Sequence, residues 1–342
     1  MNIRRTIPIS ATLAVTGLLT AALLSACGGA ATGNEQAVGK NGSVDLSKVT
    51  LIVGDQKGTS AQALLTAAGL DKTPYKIDWK EFTSGPPMLE AVNAGSVHVG
   101  MVGNTPPIFA AAAKGTFKMV SAATYTGQGD QLLVPKGSPI KTVADLKGKT
   151  VAVAEGSSAN YNLLAQLDKA GLTYKDVTVQ NLQPADALAA FSSGHVDAWA
   201  IWDPYASQAA VDADAVELAN GDGLVNGLNF EVASQGALDD RGTEAALKDY
   251  LNRITKAQLW SSAHRAAWSK VWAQQTGLSP RITAMAAKNR PVTPVEVDQS
   301  VIDSEQEMAD TFSANGLLPG KVDVSAFFDD RFNKYTTGEA VR

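Results

Sequence analysis

The chain has 342 residues, of which 45% are hydrophobic and 18% charged, and its formal net charge is −5. Beyond residue 44 it is long enough for two lobes of typical size with packed cores. A mildly acidic chain lacks the basic surface that nucleic-acid binding requires, so we expect no nucleic-acid partner. The single cysteine excludes an intramolecular disulfide bond.

The first residues have the pattern of a lipoprotein signal peptide. Two arginines precede an apolar stretch over 7–24, and Leu24, Ser25 and Ala26 lead directly to Cys27. This pattern before a lone cysteine is typical of a lipobox, in which the thiol receives a diacylglycerol and the signal is cleaved before it. We therefore predict that Cys27 is lipidated; the alternative is an N-terminal membrane anchor that is never cut.

Lipidation would decide where the protein lies. Acyl chains contribute about 0.8 kcal/mol per buried methylene group, so a multiply acylated Cys27 would hold the chain at a membrane surface. Residues 28–44 are rich in Gly, Ala, Asn and Ser, a composition typical of a flexible linker. We predict an extracytoplasmic protein that is lipid-anchored to the outer face of the cell membrane or in the periplasm.

The remaining chain resembles itself at a displacement of about a hundred residues. A strand-like run, a turn rich in Gly and Ser or Thr, and a helical pattern recur in the same order at 49–70 and 150–172. A further block at 91–100 recurs at 190–199. Each copy then reaches a polar residue before proline, Thr105 in the first and Asp203 in the second.

These repeated units predict two α/β lobes. Alternating strands and helices favour mostly parallel sheets flanked by helices. Gly95 and Gly194 are expected to stop a helix, and Thr105 and Asp203 to cap the next one. Open α/β sheets bind ligands at the carboxyl ends of their strands, so two such lobes facing each other would form a binding cleft.

The lobes are predicted to be interleaved along the chain. Strand-like runs at 131–135 and 229–233 are the candidate hinge crossings, and the chain beyond Gly242 is mainly helical. Trp260, Trp268 and Trp272 lie at helical spacing there, which is typical of core packing. The predicted segments are the signal peptide at 1–26, the lipidated cysteine and flexible linker at 27–47, lobe 1 at 48–133, lobe 2 at 134–231, and the rest of lobe 1 with the C-terminal helices at 232–342.

Backbone amides and hydroxyl groups are concentrated in the loops after the predicted strands. At a helix N-terminus, unpaired N–H groups and the positive end of the helix dipole favour a bound anion. Each residue alone could be only a helix cap or part of a tight turn, but the set converging from two lobes favours a binding role. The set comprises Gly58, Thr59, Ser60, Ser84, Gly85, Asn104, Thr105, Gly156, Ser157, Ser158 and Asn160.

Charged and aromatic residues refine this site. Lys57 is the only basic residue in these loops, and neutral donors would hold an anion without the cost of burying an ion pair. Tyr161 and Trp202 are the candidates to contact the organic tail of a ligand, since Trp199 faces the opposite side of the strand from Trp202. Asp203 could receive a ligand ammonium group, although a helix cap is the simpler role.

Motifs of catalysis are absent from the sequence. We find no Gly-x-Ser-x-Gly, no His-Glu-x-x-His, no P-loop and no zinc-spaced set of Cys and His. We therefore expect a monomeric binding protein with no catalytic residue, no metal and no cofactor.

From Leu51 to Phe327 the chain resembles the aliphatic sulfonate-binding proteins of ABC importers, with taurine, nitrate and thiamine-precursor binders as more distant relatives. The matching segments are 55–58, 79–82, 84–86, 88–91, 106–110, 138–148, 156–158, 290–291 and 316–319. The most specific is 196–205, which reads VDAWAIWDPY. The resemblance implies a type II periplasmic-binding-protein fold, whose two lobes close on the ligand about two connecting segments.

The resemblance also implies a function and further site residues. Gln56 and Asp130 complete the predicted binding set, and Asn104 replaces an Asp that members often carry, which disfavours a cationic ligand group. The implied partners are an alkanesulfonate, an ABC permease and its ATPase. The alternatives are a binder of taurine, nitrate or a thiamine precursor, and an enzyme on the same scaffold, although the enzyme that resembles these binders depends on a cysteine-rich motif that this chain lacks.

Overall fold

Two β-sheets form the frame of the computed structural model, which describes residues 33–337. The predicted signal peptide and Cys27 lie outside the described residues. Among the described residues, no helix combines the length and the hydropathy needed to cross a membrane.

The first sheet has six strands in the order β11-β4-β10-β3-β1-β2. Strands β1 to β3 run parallel, whereas β10 is antiparallel to both β3 and β4, and β11 is antiparallel to β4. Together with the helices packed on it, we call this sheet lobe 1. Its strands are β1 Thr50–Gln56, β2 Lys76–Phe82, β3 Val99–Gly103, β4 Phe117–Thr124, β10 Leu228–Ser234 and β11 Thr293–Val295.

The second sheet, with its helices, is lobe 2 and has five strands in the order β7-β6-β8-β5-β9. Strand β6 is parallel to β7 and β8, and β5 is antiparallel to β8 and β9. The alternation of strands and helices predicted both sheets, and the two-lobed α/β fold is confirmed. The strands are β5 Asp130–Val134, β6 Thr150–Val153, β7 Thr178–Asn181, β8 Ala198–Trp202 and β9 Val216–Asn220.

Helices follow most strands and cover the sheets. Gly95 and Gly194 come just after two of them with φ of +72° and +74°, a conformation that glycine adopts without strain, as predicted for helix stops. The helices of the described residues are α1 Ala61–Ala67, α2 Gly85–Asn93, α3 Thr105–Ala112, α4 Ser158–Lys169, α5 Pro184–Ser192, α6 Tyr205–Asp212, α7 Gln235–Asp239, α8 Arg241–Ala263, α9 Arg265–Thr276, α10 Pro280–Asn289, α11 Gln299–Ala314 and α12 Asn333–Thr336.

The chain crosses between the lobes at 125–129 and 221–227, a few residues before the predicted crossings. Residues 131–134 lie wholly within β5 of lobe 2, and 229–233 lie wholly within β10 of lobe 1. Both runs are buried and paired with neighbouring strands, so they are sheet interior and not connecting segments. The predicted boundaries at 133 and 231 therefore fall inside strands.

The described part of the predicted flexible linker is packed on lobe 1. Asn34 is 4% exposed, and its side chain donates to the hydroxyl of Thr243 at 2.8 Å and accepts from the backbone N–H of Thr50 at 2.9 Å. Its own backbone N–H donates to the carboxylate of Asp240 at 2.7 Å. Further bonds join Arg241 to the side chain of Glu35 and the carbonyl of Gly42, so the described part of this stretch is tied to the start of α8 and is not a flexible linker.

Candidate ligand-binding site

The carboxyl ends of strands from both sheets meet at one cavity between the lobes. Its empty space, including the opening to solvent, is about 340 Å³. The fold brings together here seven of the residues predicted from the sequence and adds four that were not predicted. The lining residues are Gln56, Gly58, Thr59, Gly85, Gly103, Pro106, Ser157, Ser158, Trp202, Asn229 and Arg290.

The loop after β1 is shaped by a buried carboxylate. Asp55 accepts hydrogen bonds from the backbone N–H groups of Gln56 and Ala61, both at 2.8 Å, and of Gln62 at 3.0 Å. Burial raises the pKa of Asp55 to about 6, against the lowering effect of these amides. The loop is also tied to α9, since the indole of Trp272 donates to the carbonyl of Lys57 at 3.0 Å. The Lys57 side chain is exposed and does not line the cavity.

Within this loop, Gly58 lies directly against lobe 2. A Cβ atom at this position would come within 2.8 Å of the indole nitrogen of Trp202, so only glycine fits here. Gln56 lines the cavity, and its side chain donates to the carbonyl of Met101 at 3.1 Å. The end of β1 thus faces the end of β8 across the cleft.

Three predicted residues on the lobe 1 side serve as supports. Ser84 donates to the side-chain oxygen of Gln183 at 2.8 Å and does not line the cavity, whereas its neighbour Gly85 does. Asn104 donates to Asn226 at 2.7 Å and accepts from Thr105 at 3.0 Å. Thr105 is the first residue of α3, and the side chain of Asn104 before it makes no capping hydrogen bond, so the cap predicted at Thr105 is wrong.

The start of α4 presents backbone N–H groups to the cavity. The first N–H groups of a helix have no intrahelical partner, which makes this end suited to an anion. Both serine hydroxyl groups already donate elsewhere, Ser157 to the carbonyl of Ala154 at 2.6 Å and Ser158 to Asp130 at 2.8 Å. The backbone N–H of Ser157 also donates to the carbonyl of Ala154, at 3.2 Å, so of these two residues only Ser158 has a backbone N–H without a partner among the described residues.

Two residues predicted near this helix point away from the cavity. Asn160 accepts from the backbone N–H of Gly156 at 3.0 Å and donates to the hydroxyl of Tyr174 at 2.7 Å, so it stabilises the turn before α4. The ring of Tyr161 packs on Phe312 of α11, with centroids 5.7 Å apart. Neither is among the lining residues, and Tyr161 is not placed to contact a ligand tail.

Arg290 is the one charged residue among the four cavity-lining residues that were not predicted. It follows α10, and its guanidinium lies 4.4 Å over the ring of Tyr125 and donates to the carbonyl of Asp203 at 2.9 Å. The guanidinium brings a positive charge to the cavity lining, where the sequence analysis expected only neutral donors. The one signal in the sequence was its place in a segment of the family resemblance.

Asp130 is a buried carboxylate on which the positive charge of Arg290 acts. It is 1% exposed and accepts from the hydroxyl groups of Tyr125 at 2.7 Å and Ser158 at 2.8 Å. Burial raises the pKa of Asp130, while the Arg290 charge and these two hydrogen bonds act to lower it. Asp130 therefore holds Ser158 and Tyr125 in place and does not line the cavity.

Asp203 lies one residue before the N-cap position of α6, which is Pro204, but its carboxylate still accepts from the first turn of that helix and does not line the cavity. One carboxylate oxygen accepts from the backbone N–H and the hydroxyl of Ser207 at 2.9 and 2.6 Å, and the other accepts from Asn289 at 2.9 Å. The residue is fully buried, and burial raises the pKa of Asp203. Its neighbour Trp202 lines the cavity, whereas Trp199 packs in the lobe 2 core against Phe191, as the strand geometry predicted.

Known proteins are similar to this chain over most of its length. Two relatives, both named "Putative aliphatic sulfonates-binding protein", come from Escherichia coli (strain K12) and Bacillus subtilis (strain 168). The first is 38% identical over 282 residues, covering 81% of this chain and 88% of the relative. The second is 30% identical over 315 residues, covering 91% and 92%.

A solved structure is similar over nearly its whole length. The alkanesulfonate-binding protein SsuA from Xanthomonas axonopodis pv. citri, bound to MOPS, is 37% identical with a TM-score of 0.76 and covers 82% of this chain and 98% of its own. Residues 76–222 also match the family described as NMT1/THI5 like. This chain belongs to the aliphatic sulfonate-binding protein family. The resemblance inferred from its motifs is confirmed.

In this family member the two lobes are in direct contact beside the cavity. The side-chain oxygen of Gln183 in lobe 2 accepts from Thr83 at 3.0 Å and from Ser84 at 2.8 Å in lobe 1. On the other side, Asn289 and Arg290 both bind Asp203. The cavity is therefore bounded by hydrogen bonds that a separation of the lobes would break.

A second chamber adjoins the first and lies mainly in lobe 1. The two share Gly58, Thr59, Asn229 and Arg290, and the second has an empty volume of about 480 Å³, again including its opening. Trp268 and Trp272 form one wall, with their rings stacked 5.1 Å apart. Sequence analysis predicted these tryptophans as core, and they are 8% and 2% exposed, but they also line this chamber. The other lining residues are Leu64, Met101, Gln258, Ser261 and Val292.

Proposed function

We propose that this protein captures aliphatic sulfonates in the cavity between its lobes. The observation that carries the proposal is the set of unpaired donors converging there. Arg290 supplies a positive charge, and the Asn229 amide and the Trp202 indole N–H have no hydrogen-bond partner among the described residues. The start of α4 adds backbone N–H groups. A sulfonate is ionised at physiological pH and carries three acceptor oxygens, which matches this set.

The lining residues also favour an anion without an ammonium group. None of the cavity-lining residues in the described part of the chain carries a carboxylate. The nearby carboxylates of Asp130 and Asp203 accept hydrogen bonds from other residues of the protein and do not line the cavity. An ammonium group entering the cavity would therefore lose its hydration without gaining a charged partner. This supports a simple alkanesulfonate over taurine.

The rest of the proposed role concerns transport. The names of the relatives support a binding protein and not an enzyme, and the proposed partners are an ABC permease and its ATPase. The lipobox pattern supports an extracytoplasmic protein held at the membrane through Cys27. Replacing Cys27 by Ser should block lipidation and leave either an unprocessed precursor or a released form; mature-size protein equally retained at the membrane, with no lipid on either version, would contradict the anchor.

Titration calorimetry of the purified protein tests the ligand class. We expect heat of binding with ethanesulfonate, weaker binding with taurine, and the weakest with nitrate, which offers no tail. Absence of binding with every alkanesulfonate that lacks an amino group, together with binding of nitrate or taurine, would contradict the proposed function.

A further inference from the structure

The C-terminal half of α8 and the helices after it carry charge of one sign. Residues 250–295 contain seven lysine and arginine residues and no aspartate or glutamate, although the whole chain has 34 acidic and 29 basic residues. Clustered like charges repel one another and do not stabilise the fold, so this distribution favours contact with a partner of opposite charge.

The outer face of α8 combines basic and apolar side chains. Positions three or four residues apart share one face of a helix, and Lys256, Leu259 and Ala263 follow that spacing without being buried. Leu259 is 43% exposed and is one of two large hydrophobic side chains that are exposed among the described residues. Arg265, at the start of α9, adds an exposed charge directly after this face. We call these four residues the basic face.

The two charges of the basic face have no acidic partner in the described part of the chain. Neither Lys256 nor Arg265 lies in a salt bridge there, and the guanidinium of Arg265 donates only to the carbonyl of Ser262, at 3.2 Å. The two acidic residues of α8, Glu244 and Asp249, are each paired with a basic residue four positions further on. Both charges therefore remain available to an anion outside the protein.

Trp260 borders the basic face. Its ring is partly exposed and stacks on the ring of His264, with centroids 4.9 Å apart. Tryptophan is enriched at the level of the lipid head groups, because its ring is apolar and its N–H is polar. Basic side chains beside an exposed leucine and a tryptophan are the composition of helices that lie on a membrane surface.

The predicted lipid anchor lies close in sequence to the segment that contacts this side of α8. The side chain of Arg241, at the start of α8, donates to the carbonyl of Gly42 at 3.0 Å. Arg241 comes eighteen residues, or five helical turns, before Leu259 and is therefore on the same face of the helix. Six peptide bonds join Cys27 to Gly33, and a chain of that length spans at most about 20 Å. The proposed anchor thus keeps a membrane within reach of this face.

We propose that the basic face binds the surface of a membrane that carries anionic phospholipid head groups. The inference rests on the proposed anchoring through Cys27 and adds to it. The lipid holds the chain at the membrane, and the basic face determines which side of lobe 1 rests on it. Lys256 and Arg265 contact the phosphate groups, while Leu259 and Trp260 enter the head-group layer.

Co-sedimentation with lipid vesicles tests the basic face without the anchor. Both sheets lie within residues 33–337, so a protein that starts at residue 28 keeps the described fold and carries no lipid. At low salt it should bind vesicles of phosphatidylcholine and phosphatidylglycerol but not vesicles of phosphatidylcholine alone, and high salt should release it. Because the whole chain is acidic, binding to anionic vesicles requires a local basic surface.

Two results of this experiment would overturn the inference. Equal binding to both kinds of vesicle would show that the charges do not matter. Binding to neither would leave an acidic protein as the partner of this face. Calorimetry of the same preparation with ethanesulfonate tests the proposed function separately, since neither result changes the cavity between the lobes.

Variants assign the vesicle binding to the basic face. Lys256→Gln and Arg265→Gln each remove one charge, and each should weaken binding to the anionic vesicles about fivefold, which corresponds to about 1 kcal/mol. Lys169→Gln is the matched control, because Lys169 is an exposed lysine at the end of α4 in lobe 2. Unchanged ethanesulfonate binding reports that each variant is folded. Wild-type vesicle binding by both variants of the basic face, or an equal fall in the control, would contradict the proposed contact.

Discussion

At the scale of single residues, the site depends on buried carboxylates that hydrogen-bond to the protein around the cavity and not into the cavity itself. Asp55, Asp130 and Asp203 use their oxygens to hold the β1 loop, the start of α4 and the start of α6. Sequence analysis recognised polar residues at strand ends, but it could not decide which of them line the cavity and which hydrogen-bond to neighbouring loops and helices. That assignment depends on partners distant in sequence, such as Arg290, which lies 87 residues from Asp203.

Arg290 is the residue whose loss should affect binding most. Arg290→Gln removes the positive charge and its hydrogen bonds, each worth about 1.5–3 kcal/mol to a charged partner. Calorimetry should show the Kd for ethanesulfonate rising between about tenfold and a hundredfold. Arg281→Gln is the control, since Arg281 is an exposed arginine in α10, the helix that Arg290 follows. An unchanged Kd for Arg290→Gln would mean that the anion lies elsewhere.

Glu231 should make the stability of the fold depend on pH. It is 1% exposed, both carboxyl oxygens lack a partner among the described residues, and burial, with the nearby Asp55 charge, raises the pKa of Glu231 to about 8 from its ordinary value of 4.5. The folded protein therefore keeps a proton that the unfolded chain loses. The stability linked to Glu231 is present below about pH 4.5 and is lost as the pH rises to about 8.

Urea unfolding at pH 5, 6.5 and 8 measures this effect. In the wild type the free energy of unfolding should fall as the pH rises through this window. In Glu231→Gln that fall should be smaller by about 1.4 kcal/mol per pH unit, because one proton is no longer linked to folding. Glu305, whose pKa burial also raises to about 8, remains in the variant and preserves part of the slope. Glu90→Gln, at an exposed position of α2, should keep the full slope. Identical slopes in the wild type and Glu231→Gln would show that Glu231 does not retain its proton.

At the scale of elements, the loop before α2 and the start of α5 form a contact between the lobes. Gln183 precedes α5 and accepts from both Thr83 and Ser84. Gln183→Ala removes both neutral hydrogen bonds, each worth about 0.5–1.5 kcal/mol net. We expect the ligand to dissociate several-fold faster, with little change in the association rate, because the contact forms only when the lobes meet.

Stopped-flow measurement of ethanesulfonate release tests this contact. Gln180→Ala offers a matched control, since Gln180 lies in β7 near Gln183 but is exposed. The dissociation rate should rise for Gln183→Ala alone. A wild-type rate would indicate that these hydrogen bonds do not hold the closed lobes.

At the scale of the whole molecule, local sequence patterns predicted the strands and helices of the two lobes but not the segments at which the chain crosses between them. Strand, turn and helix repeat in the sequence, so the two sheets and the helix stops at Gly95 and Gly194 could be predicted. The crossings could not be placed, since β5 and β10 have the same apolar pattern as any buried strand and their sheet is decided by pairing partners. The second chamber was not predicted, because tryptophans at helical spacing have the same sequence pattern in a core and in a pocket.

The positions of the crossings give the last prediction, which concerns closure. Tyr125 begins one crossing, donates to Asp130 in lobe 2 and lies under the Arg290 guanidinium, while Asn226 in the other crossing binds Asn104 at the start of α3. Both crossings therefore contact the residues around the cavity, and a ligand bound to Arg290 favours the arrangement in which the lobes meet. Small-angle scattering should give a smaller radius of gyration with saturating ethanesulfonate than without it. Arg290→Gln at the same ligand concentration should show no contraction, and an unchanged radius for the saturated wild type would mean that the lobes do not move apart when the ligand leaves.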